Sequence, residues 1–354
     1  MALPHNKIVN SKNGRLNYNR LLAAFYGILA LAAIGTYVMA FVFSLLAFFS
    51  PEGIPFANKN YKTLRINILY FWTVSIAVDF KAWQVFLVLN FIFGLSFLSA
   101  FFSNERFCGV MKGLFIEGDL NKFRRNFLVL MPGISSAMLL VTTALNTLGE
   151  SVGAGVGGPS FPDPFSELLT LSYAAVSEEI GFRLVPILIP MAFYLLIETR
   201  GSMKGMTNGT KIFMTLTAIF KPESFLQNVK TEPDSWFKIL KTLLISISAI
   251  MFSFAHVLFG PWSWGKIPST LIAGLFIGYC SVRYGFDSAI LLHWFFNYYW
   301  AAISLATRIG VSLINEVTYI VTIYLGLFTI LYFVFSSLGR DQTYPQSQNQ
   351  GRIK

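Results

Sequence analysis

Charge is what this chain has least of. Asp, Glu, Lys and Arg together make up 12% of its 354 residues, about half of what a soluble globular protein carries. Cysteine is nearly missing too. Cys108 and Cys280 form no CxxC pair, which excludes a disulfide framework and a cysteine-based zinc site; both are expected to be ordinary buried thiols. The Gly-rich run at 153–158 has no GK[ST] after it and is no phosphate loop. No repeat of fixed period is present.

What fills the chain instead is apolar: 55% of residues are hydrophobic and the mean hydropathy is +0.59. Eight runs approach the roughly 20 residues needed to cross a bilayer: 21–49, 82–102, 126–148, 165–197, 239–258, 267–282, 288–307 and 317–338. They are continuous rather than alternating, which excludes a β-barrel. The expected fold is therefore all-α, a polytopic membrane bundle of about eight transmembrane helices. Residues 1–164 would hold three helices and an outside loop at 51–81. Residues 165–308 would form a helical core, 309–338 the last helix, and 339–354 a disordered tail. Pro186 and Pro190 predict a bend or break in the fourth span. Apolar and small or polar residues alternate from Trp72 to Asp79, which predicts a half-buried strand in a small extracellular hairpin.

The formal net charge of +10 does not point to nucleic acid, because Lys and Arg cluster between the apolar runs, where they face lipid headgroups. Lys7, Lys12, Arg15 and Arg20 precede a first run too long for a signal peptide, so a retained anchor is expected. The segments 103–125 and 198–236 and the tail are also basic, whereas 149–164 has no Lys or Arg. Eight spans with both termini cytoplasmic satisfy this pattern. Lys59, Lys62, Arg65 and Lys81 in the first outside loop fit it least well. The host membrane is read as the plasma membrane, and the chain ends in no retrieval signal.

Charge inside a span costs roughly 2.5–3.5 kcal/mol per residue, yet the fourth span holds Glu178, Glu179 and Arg183. Adjacent carboxylates point about 100° apart on a helix. Arg183 shares a face with Glu179 and would neutralise it, leaving Glu178 to point elsewhere into the bundle. His5 lies in the polar N-terminus and has no expected role. His256 closes Phe252-Ser-Phe-Ala-His256. His293 opens His293-Trp-Phe-Phe-Asn297, which sets Asn297 on its own face. A buried ion pair and interhelical hydrogen bonds would account for part of this set. They leave Glu178 without a partner. Hydrolysis would use all of it: a carboxylate to take a proton from water, and imidazole and amide groups to hold an oxyanion or a metal.

These segments resemble the CPBP (ABI) family of intramembrane proteases, which includes the type II CAAX prenyl endopeptidases. Glu178-Glu-Ile-Gly-Phe-Arg183 matches its EExxxR motif, Phe252–His256 its FxxxH motif and His293–Asn297 its HxxxN motif. The three occur in the family's order, each in a separate span, and the similarity covers roughly 165–302. The resemblance implies a metalloprotease-type intramembrane endopeptidase acting on a peptide or prenylated protein near its C-terminus. Glu178 and His256 would activate water, His293 and Asn297 would hold the oxyanion, and Glu179, Arg183 and Phe252 would support the site. The rival arrangement places Zn2+ on Glu178, His256 and His293. One departure is the polar insertion 198–236, expected as a cytoplasmic excursion that gates or selects substrate. Two other functions compete: a proteolytically silent binding or immunity protein, and a proton-coupled transporter. Nothing in the sequence fixes an oligomeric state.

Overall fold

Polar caps divide the apolar runs into helices. The computed structural model describes residues 7–103, 105–308 and 310–338, and for 7–18, 312 and 338 the backbone alone. His5 and the tail 339–354 lie outside the described residues. The long elements are α1 (Lys7–Phe48), β1 (Asn60–Ile68), β2 (Trp72–Lys81), α2 (Ala82–Phe101), α3 (Phe127–Ser151) and α4 (Pro164–Glu198). After them come α5 (Asn208–Phe220), α6 (Pro222–Val229), α7 (Ser235–Leu258), α8 (Ile267–Tyr284), α9 (286–308) and α10 (Ser312–Leu338). The chain is a helical membrane bundle carrying one small two-stranded sheet.

Among the described residues seven helices are long and apolar enough to cross a membrane. The expected eighth, 288–307, is α9. It is long enough to cross but is less apolar than the other seven, because it carries Asp287, His293, Asn297, Tyr298 and Tyr299, and a π-turn at Phe295–Tyr299 lies between Phe286–Trp294 and Trp300–Arg308. It is nonetheless one helical run through the centre of the bundle, buried on almost every side. A helix apolar all round belongs in such a place. Trp294, Tyr298 and Tyr299 pack into an aromatic cluster with Tyr37, Phe41 and Phe97. Their hydroxyls are satisfied inside the bundle. Tyr298 donates to Asn90 Oδ1 at 2.7 Å, and Tyr299 shares a 2.6 Å hydrogen bond with Thr36.

The turns are held by caps and latches. Asn126 is fully buried. Its amide donates to the carbonyls of Ala100, Phe101 and Glu105, and its Oδ1 accepts from Val129 N–H, tying the end of α2 to the start of α3. Asp163 caps α4 through Ser166 N–H at 2.7 Å, followed by Pro164 at the first helical position. Asp234 caps α7. The Phe237 N–H, and after it the Tyr194 hydroxyl, hold its carboxyl below the usual carboxylate range. The insertion is ordered: α5 and α6 fold back onto the bundle, with Glu223 paired to Arg283 and Lys241, and Lys221 to Asp287.

Three expectations change. The fourth span does not break at Pro186. The missing donor is absorbed by a π-helix over Ile180–Leu188, after which the α-helix resumes at Ile189. The hairpin is present, with β1 and β2 antiparallel and a bulge that sets Val78 and Asp79 of β2 against Lys62, but β2 is exposed along nearly its whole length rather than alternately buried. The reason is that β1 lies between β2 and α4. Cys280 is buried as expected, but Cys108 is exposed. The short helix Phe107–Lys112 buries Val110 and Met111 instead.

Candidate active site

The three motifs converge. Glu178 and Glu179 end the α-helical part of α4, one residue before its π segment, and Arg183 lies inside that segment. His293 lies two residues before the π-turn of α9, and Asn297 lies within it. These two motifs thus straddle α-to-π junctions, whereas Phe252–His256 lies in regular α-helix. Such widenings re-aim side chains and recur at functional sites.

Glu179 and Arg183 are fully buried and paired, with Oε2 3.3 Å from Nε. The guanidinium also sits over the Phe252 ring, 4.3 Å from its centroid. Phe252 therefore bridges the second motif to the first. The other Glu179 oxygen, Oε1, is 2.7 Å from His293 Nδ1. A carboxylate on Nδ1 places a proton there and turns Nε2 toward the reaction space. Glu179 is thus more than a neutraliser of Arg183, because it also orients His293.

Glu178 diverges from Glu179 on the helix and faces the other nitrogen of the same imidazole. Its Oε2 lies 3.7 Å from His293 Nε2 and has no hydrogen-bond partner among the described residues. His256 is fixed through Nδ1, 2.8 Å from the Phe252 carbonyl, and its ring lies edge-on to Phe252. Its Nε2 is the ring nitrogen left for other partners. Asn297 Nδ2 makes only a long contact, 3.4 Å, to the Leu171 carbonyl. The Phe252 ring lies 4.5 Å from that of His256 and 6.2 Å from that of His293, so all three motifs share one centre.

Among the described residues no three His, Cys, Asp or Glu side chains are grouped to hold a metal ion. The rival zinc arrangement would draw on Glu178, His256 and His293, of which Glu178 Oε2 and His293 Nε2 lie 3.7 Å apart.

Sequence reasoning missed one wall of this centre. The hairpin turn reaches it: Leu69 and Tyr70 pack with Phe182 and Phe252, and Tyr70 stacks on Phe259 at 5.2 Å. Leu69 N–H donates to the Gly181 carbonyl at 3.3 Å. A Cβ on Gly181 would lie 2.0 Å from the Asn67 carbonyl oxygen, so only glycine allows β1 this close. The turn itself is strained, with Leu69 at φ 48° and Tyr70 at φ 58°. Left-handed backbone costs about 1–2 kcal/mol per non-glycine residue and is retained where surrounding structure over-determines it. The charge-free stretch 66–78 was the available signal.

Comparison with known proteins agrees with the motifs. Residues 163–299 match the family described as Type II CAAX prenyl endopeptidase Rce1-like. No curated protein and no solved structure matches the chain. The matched stretch contains every residue of the centre on α4, α7 and α9, and it excludes the hairpin.

Proposed function

We propose that this protein is an intramembrane endopeptidase that cleaves a lipidated or membrane-embedded peptide, a prenylated CAAX C-terminus being the first substrate class to test. The observation that carries the reading is the Glu178 carboxylate, whose buried oxygen faces His293 Nε2 at 3.7 Å and has no hydrogen-bond partner among the described residues. An acceptor kept free in such a place is poised for a proton. Glu178 takes a proton from water, which His256 Nε2 helps orient, and the oxygen attacks the scissile carbonyl. The oxyanion is held by Asn297 Nδ2–H and by His293, which the Glu179 carboxylate orients. The C–N bond then breaks, and Glu178 returns the proton to the departing amine. Arg183, Glu179 and Phe252 hold this geometry. They touch the reacting atoms only through their neighbours.

The test is cleavage of a farnesylated CAAX reporter by the purified full chain in detergent. Glu178→Gln is expected to lower kcat by about 10²–10⁴-fold, with the protein still folded. Equal cleavage by both forms refutes the assignment of Glu178. Chelator-treated protein is expected to stay active. Stoichiometric zinc that disappears in His256→Ala, together with activity, would instead make the histidines ligands.

A further inference from the structure

The hairpin is built for membrane depth and leaves one edge open there. Lys59, Lys62, Asp79 and Lys81 lie at its root, Arg65 lies midway along β1 opposite Ser75, and no charge occurs from Ile66 to Val78. It runs down α4. Tyr173 donates to the Arg65 carbonyl and Gly181 accepts from Leu69, positions about 14 and 26 Å along the helix from Pro164 at 1.5 Å per residue. Between the hairpin, α2 and α4 lies an apolar cavity of about 150 Å³ lined by Ile66, Ile76, Phe80, Val88 and Ile180.

These contacts fix which edge faces where. Arg65 and Leu69 use backbone groups that point away from β2, so the outer edge of β1 is the one satisfied by α4. In an antiparallel ladder the residues opposite, Ser75 to Arg65, Thr73 to Asn67 and Ala77 to Thr63, also point their N–H and C=O away from their partner strand. Those groups form the outer edge of β2. They bond to no other element among the described residues, and the strand is exposed. Phe71 and Trp72, at the turn, are 80% and 72% exposed. An open sheet edge is not stable against hydrocarbon, where each unpaired backbone group costs several kcal/mol. What satisfies it must itself supply alternating backbone donors and acceptors. A lipid tail has none, whereas an extended peptide has both.

We infer that the outer edge of β2 is a peptide-docking surface, where an extended segment of the substrate pairs with Thr73, Ser75 and Ala77 as a third strand. The inference rests on the peptidase reading for the identity of the occupant. The same hairpin continues directly into the centre. Its other edge is bonded to the helix that bears Glu178, and its turn packs on Phe182 and Phe252. A peptide aligned on β2 is therefore held extended, the conformation that exposes a scissile carbonyl. Main-chain pairing supplies affinity without demanding a particular side-chain sequence.

Two measurements on the full chain test this. Ser75→Pro removes an outward N–H that the hairpin does not use, and proline is tolerated on such an edge. It is expected to lower kcat/KM for the farnesylated reporter about tenfold, while Ser75→Ala matches wild type and the melting temperature of both is unchanged. Separately, Thr73→Cys, Ser75→Cys and Ala77→Cys, each with Cys108→Ser and Glu178→Gln, are cross-linked to reporters carrying one cysteine at successive positions. The expected pattern is a ladder: the reacting reporter position moves by two residues as the site on β2 moves by two. Cross-links without that order, no cross-links, or disulfide-linked pairs of the protein itself would overturn the inference. If no form cleaves the reporter, the peptidase reading fails, and the cross-linking ladder still decides whether the edge binds peptide.

Discussion

Two neighbouring carboxylates in one span have opposite fates, and the difference is set by direction alone. Glu179 faces Arg183 and His293 and is engaged by both. Glu178, one residue earlier, keeps an oxygen with no hydrogen-bond partner among the described residues, 3.7 Å from His293 Nε2. Their neutral replacements should therefore separate stability from chemistry. Glu179→Gln leaves the buried Arg183 uncompensated and should destabilise the fold by about 3–5 kcal/mol, read as a lower melting temperature in detergent. Glu178→Gln removes a charge that nothing neutralises fully and should melt at or above the wild-type temperature while losing cleavage. Equal destabilisation by both variants would mean that the carboxylates act as one structural unit, and the division of roles would fail. The directions of these side chains were legible in the sequence, because successive helical residues diverge and i, i+4 residues converge. The contact between Glu179 and His293 was not, because it joins α4 to α9, and no local spacing encodes which helices become neighbours.

At the scale of elements, the site depends on helices that are not quite α-helical. The π segments at Ile180–Leu188 and Phe295–Tyr299 coincide with two of the three motifs. Pro186 signals an irregularity in the first, and the sequence suggests a bend or break there. The bundle instead keeps the helix whole, since a break would leave backbone groups unpaired in an apolar surround. The second π-turn has no proline or glycine to announce it. The hairpin was legible as alternation, but its docking was not. Docking rests on Gly181, whose missing side chain lets the Asn67 carbonyl approach. Gly181→Ala should lift β1 off α4. Amide exchange at Leu69 and Tyr70 is expected to accelerate, and reporter cleavage to fall, while α4, α7 and α9 keep their protection. Unchanged exchange at the turn would show that the hairpin is held by its aromatic contacts rather than by this close approach.

At the scale of the whole molecule, contacts between loops sort them into two ends. Lys59 pairs with Asp163, Gly157 bridges to Trp262, and Arg308 pairs with Glu167. The loops after α1, before α4, after α7 and after α9 therefore share one end. Asn126 binds Glu105, Lys221 donates to Ser99, Arg283 pairs with Glu223, and Tyr332 donates to Asn121. The insertion, the loop between α2 and α3 and the end of α10 thus share the other. That second end carries Arg106, Lys112, Lys122, Arg124, Arg125, Arg200, Lys204, Lys211, Lys221 and Lys230. Positive charge of this density predicts the cytoplasmic side. It also accounts for the poor fit of Lys59, Lys62 and Lys81: they are the root of an inserted hairpin, where cations sit at the headgroup level, rather than a free loop. The native cysteines make the orientation measurable. Cys108 is exposed at the second end and Cys280 is buried. In intact cells a membrane-impermeant maleimide should leave wild-type protein unlabelled and should label Cys108 once the cells are permeabilised. Ser151→Cys, exposed at the first end, should label without permeabilisation. The reverse pattern would invert the bundle. The hairpin and the start of α4 would then enter from the cytoplasmic side, and a substrate strand paired with β2 would have to come from that side.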